Sequence, residues 1–348
     1  MTSSAQPMSR PSMADVARLA NVSTQTVSRY FTGVGYVREE TRDRIAGAIA
    51  ELGYRRNQSA RNFRRQRMDT VGVLAMGPFN YGLAEILTGL SLAARREDMT
   101  LTITQLDVGP QAADQQVEVQ RALDHLLSLP VDGVVVLTPF AGVEQALKEI
   151  SGTTPMVTIS DHTTANGAVA SAHSRSAARQ ATQHLLDLGH TQVVHVAGPP
   201  GRNEAAEREA GYRDVMAAAG LDPVVIDGAD DWTPVCGFRA AEKIDVSFTA
   251  VFAANDEIAL GFLSGMTRRG RRAPQHYSIV GIDDMPSSEF FSPPLTTVRL
   301  DFRLLGGIAL EELLRQLRTG SPAVHCGTEP QLVVRESSAE RGRSAPFS

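Results

Sequence analysis

The feature that most constrains the fold is an alternation that begins at Thr70. Short, almost continuously apolar runs alternate with stretches of amphipathic helical pattern. Because strands of this kind are buried on both faces, the alternation predicts parallel sheets with helices on both sides. The apolar runs lie at 70–76, 100–105, 133–139, 155–160, 192–198, 223–227, 250–255 and 277–283. The helical patterns lie at 82–97, 111–129, 174–188, 203–219 and 257–269. About a dozen strands are too many for one compact sheet, so we expect two lobes.

Residues 12–53 have a different pattern, which predicts three short helices. Ser12 and Ser23 are suited to cap the first two helices, and Gly53 to end the third. Asn21 is a residue type that tolerates a left-handed conformation, so a tight turn is expected there. Two helices joined by a short turn, with a third in support, form a helix-turn-helix module. The second helix is expected at 24–31 and the third at 39–52.

Charge separates the two parts of the chain. Residues 1–67 contain 12 Arg and no Lys against 5 acidic residues, a net charge of +7. The remaining residues contain 22 basic and 34 acidic side chains, a net charge of −12. A basic module on an acidic body is typical of a nucleic-acid-binding head, although a solvated basic face would have the same composition.

The second helix carries candidate DNA-reading side chains. Rotation of 100° per residue places four of them within an arc of about 140°. Gln is suited to adenine and Arg to guanine in the major groove. Ser23 and Ser28 are candidates for phosphate contacts, which position a module without reading sequence. A polar solvent-facing surface is the alternative for the residues on this arc, Thr24, Gln25, Ser28 and Arg29.

Several motifs resemble the lac/gal repressor (LacI/GalR) family of transcriptional regulators. The head resembles it through VSxxTVSR at 22–29. The body resembles it through AGP (197–199), ANDEIALG (254–261), SIVGIDD (278–284) and PPLTTVRLDFRLLG (293–306). The resemblance covers almost the whole chain, from Met13 to about Glu336.

The resemblance implies a small all-α helix-turn-helix head and an α/β two-lobed domain of the periplasmic-binding-protein type. It implies a homodimer that binds a pseudo-palindromic double-stranded DNA operator and responds to a small sugar. The implied segments are a lead-in (1–12), the DNA-binding head (13–56), a hinge helix (57–67), the effector-binding and dimerisation domain (70–340) and a tail (341–348). Thr24, Gln25 and Arg29 take the base-reading positions, and Asn57 and Phe63 are expected to contact DNA from the hinge. Arg56 stands where a Pro is usual, so the hinge is expected to start less sharply. Phe63 replaces the usual Leu wedge, so a different central base step is expected to be preferred.

The resemblance also places sugar-binding residues in the body. An Arg, an Asn and two carboxylates would bond ligand hydroxyls in pairs, while two aromatic rings would pack on the sugar's C–H face. Independently, the rule that ligands bind beyond the carboxyl ends of parallel strands marks Met76, Ser160–Asp161, Gly198, Asn255 and Asp283. Ser160 and Asp161 compete for one position. Met76 stands where a small polar residue is expected, which leaves the sugar's identity open, with a galactoside as the expectation. The expected ligand-binding residues are Asp161, Arg208, Trp232, Asn255, Asp283 and Phe302.

Other function classes fit less well. The sequence has no GxSxG, P-loop or HExxH pattern, so we expect no catalytic site, metal or cofactor. No run of 18 apolar residues occurs, the N-terminus lacks a signal-peptide pattern, and only Cys236 and Cys326 are present. These features predict a cytoplasmic protein without a membrane span. The alternatives are a regulator whose ligand tightens DNA binding, a transporter's sugar-binding protein and a sugar-acting enzyme.

Overall fold

The structure is a computed structural model. It describes residues 11–54, 68–106, 115–137, 143–151, 153–161, 168–227, 229–321 and 324–342. The chain divides into two units, Met1–Met68 and Asp69–Ser348. The expected hinge at 57–67, with Asn57 and Phe63, lies outside the described residues.

Residues 11–54, the part of the first unit that the structure describes apart from Met68, form three helices, α1 (Met13–Leu19), α2 (Thr24–Thr32) and α3 (Glu39–Leu52). Ser12 and Asp15 form a reciprocal capping box at the start of α1. The turn to α2 passes through Asn21, whose φ is 52°. The Ser23 side chain then accepts a hydrogen bond from the Thr26 N–H at 3.1 Å, which confirms the predicted cap of α2.

The three helices share a small apolar core. Val16 on α1, Val27 on α2 and Ile45 on α3 have no exposed surface. Gly53 ends α3 in a left-handed conformation with a φ of 58°, as the sequence predicts. The opposite surface of α2 therefore stays free of the core, because its apolar side chains are turned toward α1 and α3.

The second unit alternates strands and helices, as predicted. Its strands are β1 (Thr70–Met76), β2 (Thr100–Leu106), β3 (Gly133–Leu137), β4 (Met156–Ile159), β5 (Ala168–Ser171), β6 (Val193–Val196), β7 (Val224–Ile226), β8 (Ala250–Ala253), β9 (Ser278–Asp283), β10 (Thr296–Arg299), β11 (Cys326–Gly327) and β12 (Gln331–Val333). Its helices are α4 (Tyr81–Arg96), α5 (Gln115–Ser128), α6 (Glu144–Ser151), α7 (Ser174–Asp187), α8 (Asn203–Ala218), α9 (Pro234–Lys243), α10 (Asp256–Arg268) and α11 (Phe302–Thr319), with a short 3₁₀ helix at Ser288–Phe290.

The strands form two six-stranded sheets, which confirms the two lobes. The N-terminal lobe has the strand order β11-β5-β4-β3-β1-β2 and is parallel throughout. The C-terminal lobe has the order β12-β10-β9-β8-β6-β7, with only β12 antiparallel to its neighbour among the described pairs. In the first sheet Val73 pairs with Ile103 on one side and Val135 on the other. Alternate residues of β1 enter cores on opposite faces, as expected for a strand covered by helices on both sides.

The chain passes between the lobes three times. It leaves the N-terminal lobe after β5, because α7 packs on β9 and β10. It returns after β10, because α11 packs on α4 and on strands β3 to β5. The third passage lies between β11 and β12, each of which joins a different sheet. These short connections place the carboxyl ends of both sheets around one cleft.

Candidate functional site

A cavity of about 560 Å³, including space open to solvent, lies in this cleft. Helices α4 and α11 of the N-terminal lobe and helix α8 of the C-terminal lobe contribute to its wall. Its apolar lining includes Leu83, Ile86, Ile159 and Leu305. A mainly apolar wall with a few polar groups is typical of small-molecule sites. All six residues predicted to bind ligand line it: Asp161, Arg208, Trp232, Asn255, Asp283 and Phe302.

Arg208 and Asp283 form a buried ion pair at the cavity. The Arg208 Nη2 donates to Asp283 Oδ1 at 3.2 Å, and the two side chains are 5% and 8% exposed. Arg208 Nη1 also donates to the Ala254 carbonyl at 2.7 Å, while Arg208 Nε is buried without a partner. Burial raises the pKa of Asp283 to about 6, although the positive charge of Arg208 opposes this shift. Within the ion pair, Arg208 Nε thus remains a donor without a partner among the described residues, and only one Asp283 carboxylate oxygen is bonded to Arg208.

Asp283 has an unusual backbone conformation at the end of β9. Its φ is 121°, and the φ of Asp284 is 52°. Two arginines bind the carboxylate of Asp284. Arg299 Nε donates to Asp284 Oδ2 at 2.7 Å, and Arg335 Nη2 donates to Asp284 Oδ1 at 2.6 Å. Such conformations persist only when surrounding contacts fix them.

The buried carboxyl of Asp256 stabilises the loop that follows β9. It accepts hydrogen bonds from the Thr297 hydroxyl at 2.6 Å and from the Met285 N–H at 3.0 Å. Burial and the nearby charge of Asp283 raise the pKa of Asp256 well above its usual range. Asp256 thus positions the loop and does not itself line the cavity.

Two aromatic rings face the cavity from different lobes. Trp232 precedes α9, is 4% exposed, and lies with the Arg208 guanidinium carbon 5.1 Å from its ring centroid. Phe302 begins α11 and packs against Tyr81 with ring centroids 6.2 Å apart. Each ring is seated against a glycine: a Cβ at Gly198 would lie 2.6 Å from Trp232, and one at Gly82 would lie 3.0 Å from Phe302.

Asn255 and Asp161 line the cavity while also holding helices in place. Asn255 caps α10, with its Oδ1 accepting from the Ile258 N–H at 2.8 Å. Asp161 accepts from the Ser171 hydroxyl at 2.6 Å and from the Ser174 N–H at 3.2 Å. Ser160 lines the cavity as well, so the structure brings both candidates for that position to the site.

Two strand-end positions marked from the sequence are not on the cavity wall. Met76 is 1% exposed, and its carbonyl accepts a hydrogen bond from Arg202 Nη1 at 2.9 Å. Gly198 lies behind Trp232, where the indole covers it. The strand-end rule is thus wrong for these two positions, because the Met76 side chain packs in the apolar core with Leu106 and Val119, and the Trp232 ring covers Gly198, which has no side chain.

Sequence reasoning missed three polar residues that line the cavity, Asn80, Ser174 and Glu204. Glu204 lies four residues before Arg208 on α8, so the helical period alone would have placed both on one face. Ser174 follows β5, a strand too short to show a clear pattern. Its hydroxyl is buried without a partner, which marks it as a group available to a ligand.

The head presents the predicted DNA-reading residues at its surface. Ser23, Thr24, Gln25 and Arg29 are exposed, and Ser28 is partly exposed. The Ser23 oxygen accepts the cap hydrogen bond of α2, and the Ser23 and Thr26 hydroxyls also share a hydrogen bond at 2.8 Å. Among the described residues, no side chain pairs with the Arg29 guanidinium.

The described residues carry neither of two other features. They contain no group of three or more His, Cys, Asp and Glu side chains arranged to hold a metal ion. No helix among them is both long and apolar enough to cross a membrane.

Family comparisons cover both units. Residues 12–57 match the bacterial regulatory proteins of the lacI family. Residues 182–338 match the periplasmic binding protein-like domain. The two matches fall on the helical head and on the two-lobed unit, respectively.

Individual proteins are similar over nearly the whole chain. The ribose operon repressor of Haemophilus influenzae is 30% identical over 333 residues, which cover 93% of this chain and 98% of that protein. The crystal structure of the lac repressor dimer bound to operator and the anti-inducer ONPF has a TM-score of 0.85 at 25% identity. It covers 95% of this chain and 100% of the other. The complex of the transcriptional regulator CelR with cellobiose has a TM-score of 0.69 at 28% identity and covers 94% and 100%.

These likenesses confirm the family predicted from the motifs, and with it the expected fold. They also agree with the resemblance of DFRLLG (301–306) and DWTPVCGF (231–238) to the lac repressor in particular. The relatives are transcriptional repressors and not enzymes. The chain therefore belongs to the lacI family of bacterial regulatory proteins and is a DNA-binding transcriptional repressor.

Proposed function

We propose that the protein represses transcription by binding a pseudo-palindromic operator as a homodimer in the cytoplasm, and that a sugar, a galactoside in the first instance, lowers its operator affinity. The observation that supports this proposal is the composition of the cavity in the cleft. Six residues assigned to sugar binding from separate stretches of sequence line one cavity.

The chemistry of the cavity suits a sugar. Adjacent hydroxyls both donate and accept, so they can bond the Asp283 carboxylate and the unpaired Arg208 Nε together. The rings of Trp232 and Phe302 offer apolar surfaces for the C–H face of the sugar. The CelR complex with cellobiose is a structure of the same fold with a sugar as its ligand, which supports the proposal of a sugar for this cleft.

The proposed DNA contacts lie on the head and the hinge. Thr24, Gln25 and Arg29 would read base edges, and Ser23 and Ser28 would bind phosphates. Asn57 and Phe63, in the proposed hinge at 57–67, would contact DNA beside the head at 13–56. The proposed effector-binding and dimerisation domain spans 70–340. The net charge of +7 on residues 1–67 favours association with the phosphate backbone.

The experiment is a fluorescence anisotropy titration of labelled DNA from upstream of this protein's own gene. It is run at fixed salt, with and without lactose and related galactosides, because protein–DNA affinity depends steeply on salt. We expect tight binding that unlabelled specific DNA competes away and that a galactoside reverses. Binding that no galactoside reverses would contradict the proposed ligand and keep the DNA role. Binding that the ligand strengthens would favour the alternative regulator, in which ligand and operator bind together.

A further inference from the structure

Glu204 is a cavity carboxylate that neither the family motifs nor the strand ends assign. It is the second residue of α8 and faces the cavity with Arg208, one helical turn further along. Its side chain is half-buried. An acidic residue in the first turn of a helix is common, because the helix dipole favours it. That position supplies the carboxylate with one donor, the backbone N–H of Glu204 itself, and with no side-chain partner among the described residues.

The other two carboxylates that line the cavity are already partnered. Asp283 pairs with Arg208 at 3.2 Å. Asp161 accepts from the Ser171 hydroxyl at 2.6 Å and from the Ser174 N–H at 3.2 Å. Neither needs a cation from the ligand.

Glu204 has no such partner among the described residues; it contacts only its own backbone N–H. Arg202 and Arg208 lower the pKa of Glu204 through space, yet burial outweighs them and raises it. Arg208 is committed to Asp283 and to the Ala254 carbonyl. Arg202 is directed elsewhere, since its Nη1 donates to the Met76 carbonyl at 2.9 Å. The cavity therefore contains one carboxylate more than its neighbouring groups satisfy.

A ligand that fills the cleft removes water from Glu204. A buried carboxylate without a partner is costly, so a ligand that leaves it unpaired is disfavoured. A neutral hydroxyl offers one hydrogen, whereas an ammonium group offers three N–H donors and the opposite charge. We propose that Glu204 is a specificity-determining contact and that the effector is a hydroxylated ring bearing an ammonium group. This inference rests on the proposed function, because it specifies the sugar that the same cleft binds.

The test uses the intrinsic fluorescence of Trp232, which is the only tryptophan in the chain and lies on the cavity wall. The full-length protein is titrated at pH 7 with galactose, 2-amino-2-deoxygalactose, 6-amino-6-deoxygalactose and the N-acetylated forms of both amines. N-acetylation keeps the ring and removes the charge. We expect at least one amine to bind at least ten times more tightly than galactose and than its own N-acetylated form, a difference of about 1.4 kcal/mol or more.

Two variants separate the charge of Glu204 from its packing. In Glu204→Gln, which keeps the shape, the preference for the amine should disappear while galactose still binds within about threefold, as expected if only the charged contact is lost. In Glu209→Gln, an acid on the same helix paired with Arg213, the preference should remain.

Each other outcome is informative. If galactose or the N-acetylated forms bind as tightly as the amines, the inference is overturned and the sugar proposal stands. If the amine preference survives in Glu204→Gln, another group recognises the ammonium and the role of Glu204 is refuted. If no member of the series binds, this inference and the galactoside proposal both fail.

Discussion

Substituting Gly198 by alanine tests how the cavity wall is held. A Cβ at this position would lie 2.6 Å from Cη2 and Cζ3 of Trp232 and 3.1 Å from the Ala205 Cβ. Carbon atoms in contact are normally about 3.5–4.0 Å apart, so the indole must move by roughly 1 Å. The Arg208 guanidinium lies on the ring at 5.1 Å, so the movement also disturbs the residue that pairs with Asp283.

The expected cost follows from this overlap. An added methyl group in a well-packed site typically destabilises by about 1–3 kcal/mol. For a unit of this size, that corresponds to a loss of roughly 2–10 °C in Tm. Ligand affinity should fall by about tenfold or more, because small misplacements in a preorganised site cost binding energy.

The assay combines thermal unfolding with the emission of Trp232, which reports the ring's surroundings directly. The matched control is Gly307→Ala, because a Cβ at Gly307 on α11 meets nothing within 4 Å. That control should leave the emission unchanged and raise stability by about 0.5–1 kcal/mol, as for Gly to Ala inside a helix. Wild-type emission, Tm and ligand affinity in Gly198→Ala would refute the claim that this glycine seats the indole.

Three further predictions follow from the same contacts. In Asp283→Asn, the amide keeps an acceptor for Arg208, and Asn tolerates the φ of 121° better than most residues. The variant should nevertheless bind the sugar more weakly by about 1.5–3 kcal/mol, roughly 10- to 150-fold, because the charged hydrogen bond is lost. Unchanged affinity in a fluorescence titration would remove Asp283 from the site. Because the pKa of Asp283 is raised to about 6, the native state binds more protons than the unfolded state between about pH 4 and 6. The contribution of Asp283 to the free energy of unfolding should therefore decrease as pH rises through that window, by at most about 1.4 kcal/mol per pH unit. Denaturant titrations should show a steeper slope in the wild type than in Asp283→Asn, in which the raised pKa values of Asp256 and Glu204 still contribute; equal slopes would contradict the shift. Arg29→Ala should weaken specific DNA binding by about 1–3 kcal/mol and relax the preference at one base pair, measured by competition with single-base operator variants; a preserved preference at every position would exclude Arg29 from base reading.

The head could be predicted from sequence almost residue by residue, because local interactions fix it. The capping box of Ser12 and Asp15, the left-handed turn at Asn21 and the cap at Ser23 each depend on atoms within three residues. The helix-turn-helix module could therefore be predicted without knowledge of distant contacts. The long strands of the body were predicted for a similar reason, since runs such as 70–76 are apolar throughout.

The parts that could not be predicted depend on long-range pairing. Strand β11 has two residues and β12 has three, too few to show any period. Their places at the edges of different sheets arise from packing with residues far away in sequence. Similarly, Met76 is a strand end like Asp283, yet its side chain is buried in an apolar core with Val119 and Leu123 of α5, more than 40 residues further along. Sequence position shows where a strand ends, but only the packed structure shows which side chain reaches the cleft.

Both lobes contribute residues to the cavity wall, and this limits which ligands can make the protein release DNA. Trp232, Asn255 and Asp283 belong to the C-terminal lobe, whereas Phe302 belongs to the N-terminal lobe. A ligand that touches both lobes loses contacts when they separate, so its affinity differs between the open and closed arrangements. Shifting a two-state equilibrium from 1:99 to 99:1 requires a differential affinity of about 10⁴, about 5.5 kcal/mol. Two or three charge-assisted hydrogen bonds of about 1.5–3 kcal/mol each supply this amount only if they are broken in one of the two states. A molecule that binds Arg208 and Asp283 but does not reach the Phe302 side should therefore bind the cleft tightly and still leave the operator occupied.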